Sequence, residues 1–179
     1  MKFQLVIPMS GIGKRFKDAG YLIPKPLIKI KGKEIIIHVV NMFQDIEKVI
    51  FICNENHIKD KELNLIKILK SLHKNTSIIP IEEHKKGPIH AIIEGKSSIN
   101  LAMPTIVNYC DFNSLFNFSK FKETLTKDNP DGSVFTYIGF HPHMLSNTNY
   151  AYVKKFKSNL IDIQEKKPYT KEPMKEEVS

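Results

Sequence analysis

The chain opens on a short, largely apolar run, Phe3-Gln4-Leu5-Val6-Ile7, closed by Pro8 and a glycine-rich turn, which predicts a buried first strand. Met9 to Lys33 then carries Gly11, Gly13, Gly20, Pro24 and Pro26 with little helical periodicity. A loop of that length inside a folded domain is usually functional. Ile36, Ile37, Val40 and Phe43 share one side of a helix predicted over Glu34–Phe43, and Val49–Cys53 reads as a second buried strand. A turn and helix start follow at Asn54–Asn56, and Leu65, Ile66, Leu69 and Leu72 give helical spacing over His57–Leu72. The alternation continues as strand Ser77–Ile81, helix Pro88–Ile99, strand Pro104–Val107, helix Phe118–Leu125 and strand Ser133–Gly139. After that the pattern changes. Tyr150–Lys154 and Leu160–Ile163 read as a hairpin of half-exposed strands.

Strand–helix alternation over two-thirds of the chain predicts an α/β fold: a Rossmann-like layered mixed sheet, mainly parallel, with a late antiparallel hairpin. Right-handed crossovers gather the loops after the strand C-termini on one edge. Glu165–Ser179 mixes Lys, Glu and Pro and is expected to lack a closing element. It reads either as a solvated tail or as a domain that stops before its last elements.

Composition narrows the function classes. A length of 179 residues, 41% hydrophobic and 26% charged, fits one globular domain over 1–179. No apolar run approaches the roughly 20 residues that span a bilayer, and Met1–Phe3 opens no signal-peptide pattern, so no membrane association is expected. Cys53 and Cys110 cannot form a disulfide framework or a cysteine zinc site, which fits a reducing cytoplasm. The formal charge is +8, yet all but one of the 27 basic residues are lysine; Arg15 is the only arginine. Nucleic-acid binding calls for arginines or stacking aromatics in one patch, so no nucleic-acid partner is expected. Lys59, Lys61, Lys67, Lys70, Lys74, Lys85 and Lys86 read as solvated, and the summed field can steer phosphorylated substrates.

Arg15 stands where a forked cation matters. Strand one runs straight into Pro8-Met9-Ser10-Gly11-Ile12-Gly13-Lys14-Arg15-Phe16. Glycines at such a junction let backbone N–H groups approach an anion. A dinucleotide fingerprint requires a third glycine where Phe16 stands, and a Walker loop requires four residues between its glycines. What remains is Gly-x-Gly-x-Arg followed by Pro24-Lys25-Pro26. The whole stretch from Pro8 to Ile28 resembles the activation loop of the sugar-phosphate nucleotidyltransferases, the nucleotidylyltransferases that make nucleotide sugars. Gly87-Pro88-Ile89-His90-Ala91 resembles that family's glycine-led segment reading the base. Asn108-Tyr109-Cys110-Asp111 resembles its metal-binding aspartate at a strand end, and Glu165-Lys166 its pair contacting sugar and phosphate.

The resemblance implies an enzyme that couples a nucleoside triphosphate to a sugar 1-phosphate or similar small phosphate and releases pyrophosphate. Residues 1–115 form its nucleotide-binding core and 116–179 its acceptor-binding part. Both reactants are polyanions, so the site must align them and neutralise their charge. By resemblance, Gly11 and Gly13 supply backbone donors within a nucleotide-binding set of Met9, Ser10, Gly11, Ile12, Gly13, Lys14, Arg15, Lys25, Gly87 and Pro88. Arg15 clamps the departing β/γ-phosphates, Lys25 steadies the α-phosphate and incoming phosphate, and Asp111 holds Mg²⁺. Glu165 and Lys166 contact the acceptor. A homo-oligomer is compatible with the resemblance.

Plainer roles stand beside these. Asp111 suits the N-cap of a helix near Asn113–Phe116. His90 reads as surface or packing, and Cys110 as a small buried side chain. His141-Pro142-His143 lacks further ligands nearby and suggests a loop near the acceptor pocket. Glu165 and Lys166 also read as an ordinary exposed pair. Family members normally continue past the Glu-Lys segment and supply a second metal ligand there, so the chain is expected to be C-terminally incomplete. That leaves a second expectation open: a relative that binds nucleotide without turnover, as a regulatory or interaction module.

Overall fold

The run at the start of the chain forms β1 (Gln4–Met9), every residue of which is buried. The computed structural model describes residues 1–139 and 147–179. The chain folds as two compact units, Met1–Asp128 and Asn129–Ser179.

In the first unit β1 is followed by α1 (Lys14–Asp18), the two-residue strands β2 (Lys29–Ile30) and β3 (Lys33–Glu34), and α2 (Ile35–Val40). Next come β4 (Lys48–Asn54), α3 (Glu55–Lys59), α4 (Leu65–Leu72), β5 (Thr76–Ile81), α5 (Pro88–Glu94), β6 (Thr105–Val107) and α6 (Phe118–Asp128). The large sheet has the order β5-β4-β1-β6 and all its pairings are parallel. β1 runs beside β4 from Gln4↔Lys48 to Met9↔Cys53, and beside β6 from Gln4↔Thr105 to Val6↔Val107. The chain thus builds outward from β1 through β4 to β5, then crosses back to the far side of β1. The strand order reverses between β1 and β6, the place where open α/β sheets bind ligands beyond the strand C-termini.

Successive side chains of a strand point to opposite faces. Leu5, Ile7 and Met9, with Val49, Phe51 and Cys53, join a core that includes Ile36, Val39, Leu65, Leu69 and Phe118. Val6, Ile50 and Ile52 join a second core with Ile81 and Ala91. Both faces are covered, so the strands read as apolar runs without alternation. Gln4 is the polar exception: it is fully buried and its amide spans to the segment that leads into β6.

Helix boundaries differ from the periodicity. The helix expected over His57–Leu72 is broken into α3, a 3-10 turn at Lys61–Leu63, and α4. Asp60 accepts the Glu62 N–H at 3.0 Å and Asn64 sits at φ 49°, so polar side chains that bond the local backbone interrupt the helix. The helix expected over Pro88–Ile99 ends at Glu94, and Lys96–Ser98 tightens to a 3-10 turn.

The second unit holds the expected hairpin, β7 (Ala151–Phe156) against β8 (Asn159–Glu165), antiparallel. Ser133–Gly139 is not a strand. Among the described residues it makes a single bridge, Tyr137↔Val178, to the two-residue β9 (Glu177–Val178), which is already paired with β7. β9 also corrects the reading of the last fifteen residues as lacking a closing element. Val178 is buried and packs with Tyr152, flanked by Tyr137, Tyr150 and Tyr169. Among the described residues no helix is long and apolar enough to cross a membrane.

Candidate functional site

β1 delivers Met9 and Ser10 to the C-terminal edge of the sheet, both nearly inaccessible at 4% and 3%. Beyond them the chain turns outward. Gly13 lies at φ 66°, ψ 31° as the residue preceding α1, a left-handed conformation that glycine adopts without strain. α1 carries Arg15 on an exposed face, and among the described residues the guanidinium makes no ion pair. Lys14, by contrast, is held by Asp18 at 2.8 Å, one helical turn on. Phe16 packs on Tyr21 with ring centroids 5.4 Å apart, and the Lys25 ammonium lies 4.9 Å from the Phe16 ring centre. Pro26 and Leu27 are buried, which fixes the backbone beside the ammonium stem. A pocket of about 160 Å³ opens beneath this loop, lined among others by Gly13, Phe16, Lys17, Lys25, His57 and Asp60. Burial, then Lys17, pushes the His57 imidazole below its usual pKa.

Lys25 forms an ion pair with Asp111, both side chains about one-third exposed. Asp111 comes from the other side of the reversal point, just past β6. Its turn is held by Asn108, whose amide donates to the carbonyls of Tyr109 at 2.8 Å and Phe112 at 3.1 Å. Asn108 also donates its own N–H to Val6 O at 3.1 Å, which ties the turn to β1. Residues far apart in sequence thereby meet at the edge of the sheet. The alternative role for Asp111 as a helix N-cap fails: 113–116 is not helical, and α6 is preceded by Asn117, which accepts the Lys120 N–H at 2.9 Å.

The donor set suits a magnesium ion held jointly with substrate. Mg²⁺ is commonly bound by one or two carboxylates together with phosphate oxygens, and Asp111 offers one carboxylate facing the same edge as Lys25. Among the described residues no group of three or more His, Cys, Asp or Glu side chains could hold a metal by itself. Cys110, next to Asp111, has its thiol pushed up to about 12 by burial and then by the Asp111 charge; Cys53 reaches about 12 chiefly by burial. Both are inert thiols at neutral pH, not nucleophiles.

The Gly87 segment borders the same edge. Gly87 has φ 84°, ψ 176°, a backbone state that side-chain-bearing residues avoid, and Pro88 begins α5 with its ring in place of an unneeded N–H. The turn before it carries a contact that no sequence pattern signals: His84 Nε2 lies 3.0 Å from Ser10 Oγ. His90 is half-buried, 3.9 Å from Glu94, and its ring meets His84 edge-on at 4.7 Å. Buried Asn54, at the end of β4, donates to Glu83 at 3.2 Å, a second tie from the sheet to this turn. Sequence reasoning missed His84 because its partner lies 74 positions away and neither residue belongs to a local motif that would link them.

Glu165 and Lys166 lie in the second unit and are exposed, with 3.9 Å between their charged atoms. Lys166 sits at φ 58° and its N–H donates to Tyr150 O at 2.8 Å, so the turn after β8 is fixed while the side chains stay exposed. His141-Pro142-His143 lies outside the described residues.

Residues 5–177 match the profile of a family described as nucleotidyl transferase. Over 70 residues the chain is 39% identical to the 2-C-methyl-D-erythritol 4-phosphate cytidylyltransferase of Wigglesworthia glossinidia brevipalpis. That match covers 37% of this chain and only 28% of that protein. Among solved structures, a nucleoside-diphosphate-sugar pyrophosphorylase from Vibrio cholerae RC9 superimposes with TM-score 0.67 at 20% identity, over 93% of this chain and 68% of its own. A UDP-glucose pyrophosphorylase complexed with UDP-glucose gives 0.66 at 18%, over 99% and 74%. The inositol-1-phosphate CTP transferase of T. maritima gives 0.66 at 15%, over 98% and 66%. At those identities the structural likeness is one of fold.

Proposed function

Because the chain belongs to the nucleotidyl transferase family, we propose that it joins a nucleoside triphosphate to a sugar 1-phosphate or similar small phosphate and releases pyrophosphate. One observation carries the reading. Lys25 and Asp111, a cation from the loop after β1 and a carboxylate from the turn after β6, meet at the point where the strand order reverses. A phosphate oxygen of the acceptor attacks the α-phosphorus; a new P–O bond forms as the bond to the β-phosphate oxygen breaks. The acceptor phosphate is already ionised, so no general base is needed. The chain's task is to neutralise and align polyanions.

In this reading Met9, Ser10, Gly11, Ile12 and Gly13 line the nucleotide, with backbone N–H groups of the loop toward its phosphates. Lys14 borders the phosphates, and Arg15, exposed on α1, grips the departing pyrophosphate with its planar fork. Lys25 bridges α-phosphate and acceptor phosphate, and Asp111 is the residue that would hold a Mg²⁺, whose contribution when bound would be to offset phosphate charge. Gly87 and Pro88 border the base. Glu165 and Lys166 in the second unit take the acceptor. A triphosphate substrate implies a cytoplasmic reaction, and the product is an activated sugar of the kind used in surface-polysaccharide assembly.

The test is a panel of four nucleoside triphosphates against candidate phosphates, read by pyrophosphate release with and without Mg²⁺. One preferred pair is expected, with turnover lowered at least about 100-fold by Asp111→Asn, the scale on which removing a transition-state electrostatic group acts. Full turnover by that variant refutes the assignment. Stabilisation by a triphosphate without turnover on any acceptor replaces the enzyme by a nucleotide-binding module.

A further inference from the structure

The ring of His84 is bonded at both nitrogens, which decides its protonation. The Lys86 N–H donates to Nδ1 at 3.2 Å, so Nδ1 carries no hydrogen. A neutral imidazole then has its hydrogen on Nε2, and at 3.0 Å that N–H donates to Ser10 Oγ. The first bond shapes the turn that leads into Gly87. The second reaches Ser10, 3% exposed at the end of β1 and the first residue of the glycine loop. One half-buried side chain therefore holds two backbone segments that have no strand pairing with each other.

We propose that His84 is a positioning residue: in its neutral Nε2–H form it clamps the start of the glycine loop to the turn before Gly87 and so sets the slot that takes the nucleoside of the triphosphate. The inference rests on the nucleotide-binding reading above and adds a specific residue to it. Both walls of the slot are flexible by composition. Buried Ser10 leads into exposed Gly11 and half-buried Gly13, and Lys85 and Lys86 lead into Gly87, all three exposed. Without a clamp, triphosphate binding must order both walls, and that ordering weakens affinity.

Protonation would loosen the turn while leaving the Nε2–H bond to Ser10 in place. An imidazolium carries hydrogens on both nitrogens, so Nδ1–H would face Lys86 N–H and that bond would be lost. The titratable neighbours are His90 and Glu94 on α5 and Lys86 on the same turn; Glu83 adjoins the ring in sequence and is engaged by Asn54. Burial, then His90 and Lys86, holds the imidazole below the usual histidine pKa, against the pull of Glu94. Neutral His84 therefore persists through the physiological range, and the Lys86 bond that shapes the turn is lost only as pH falls through that lowered pKa.

The experiment uses the full chain. Long-range ¹H–¹⁵N spectra of histidine-labelled wild type at pH 8 are expected to show the Nε2–H tautomer for His84. Triphosphate Kd and the KM-against-kcat split are measured from pH 8 to pH 5 for wild type, His84→Ala, His84→Gln and Ser10→Ala. His84→Ala is expected to raise Kd and KM about 10-fold with kcat within about 3-fold, because the slot must be ordered but the reacting groups are untouched. His84→Gln, whose amide can still donate to Ser10, recovers part of the loss. The acid-side weakening seen in wild type, beyond the triphosphate's own ionisation common to all variants, disappears in both His84 variants. An Nδ1–H tautomer overturns the inference. So does a His84→Ala chain whose Kd and pH profile match wild type. Wild type that binds no triphosphate at any pH overturns the nucleotide reading itself, a result distinct from equal binding by wild type and variant.

Discussion

Gln4 is the residue whose loss should be felt most widely. It is fully buried on the central strand, yet its amide nitrogen donates to Asn100 O at 2.6 Å, Met103 O at 3.3 Å and Thr105 Oγ1 at 2.8 Å. Its oxygen accepts the Asn100 N–H at 3.1 Å. These bonds anchor the segment that feeds β6, and β6 leads to Asn108 and Asp111. Gln4→Met keeps length and volume while deleting all four. At a net ~0.5–1.5 kcal/mol each the loss spans about 2–6 kcal/mol. Asn100 and Thr105 are exposed and can rehydrate, which favours the lower half of that range. Burying the thioether returns about 1 kcal/mol. The expected net destabilisation is about 1–3 kcal/mol, or a Tm lower by about 2–12 °C for a chain of this size. Urea unfolding followed by far-UV circular dichroism measures it, and hydrogen exchange at the Asn100 amide reports the local release. Destabilisation below about 0.5 kcal/mol, with the Asn100 amide still protected, refutes the reasoning, because buried donors and acceptors would then be interchangeable with a thioether. Gln4→Glu sharpens the test. Its carboxylate would face two carbonyls, so its folded pKa rises above the unfolded value. Stability is then retained at pH below about 4.3 and lost as pH rises through the folded pKa.

Three further outcomes are expected. Arg15→Lys keeps the charge but loses the bidentate fork, so kcat/KM for the triphosphate falls about 10- to 100-fold with Tm unchanged; equal kcat/KM removes Arg15 from the phosphate site. Gly87→Ala has open space for its methyl, with nothing within 4 Å, so its effect is backbone strain at φ 84° of about 1–3 kcal/mol, read as a raised triphosphate KM together with a lowered Tm. In the second unit, burial would raise the Glu176 pKa. Bonds from the Thr170 hydroxyl at 2.7 Å and from the Tyr169 and Thr170 N–H groups at 2.9 and 2.7 Å outweigh it, and the pKa is lowered. A lowered folded pKa gives stability that is present above the unfolded value of about 4.3 and lost as pH falls through the folded one. Glu176→Gln should therefore speed hydrogen exchange at Tyr169 and Thr170 at pH 7, and unchanged protection would show that the loop holds without the carboxylate.

The local chemistry of this chain was legible because its signals are short-range. β1, β4 and β5 are apolar runs bounded by turn residues, and the glycine loop with its single arginine stands out as a local pattern whatever surrounds it. Where the pattern misled, backbone bonding rather than side-chain spacing decided the outcome. Asp60 and Asn64 broke a helix that apolar spacing had drawn as continuous, and Ser133–Gly139 had strand composition but, among the described residues, makes only the Tyr137 bridge. Periodicity reports which face is apolar, not which backbone groups find partners.

The sequence by itself determined that Arg15, Lys25 and Asp111 are present and sit after apolar strands. Only the tertiary structure decided that Lys25 meets Asp111, since that pairing depends on β6 crossing back beside β1 and on Asn108 holding the turn. It also decided that His84 meets Ser10 and that Gln4 is bonded rather than stranded. A strand or a glycine loop is specified by neighbours a few residues away, where chain entropy favours contact. A clamp between residues 74 positions apart is specified by the order of strands in a sheet, which no window of sequence contains.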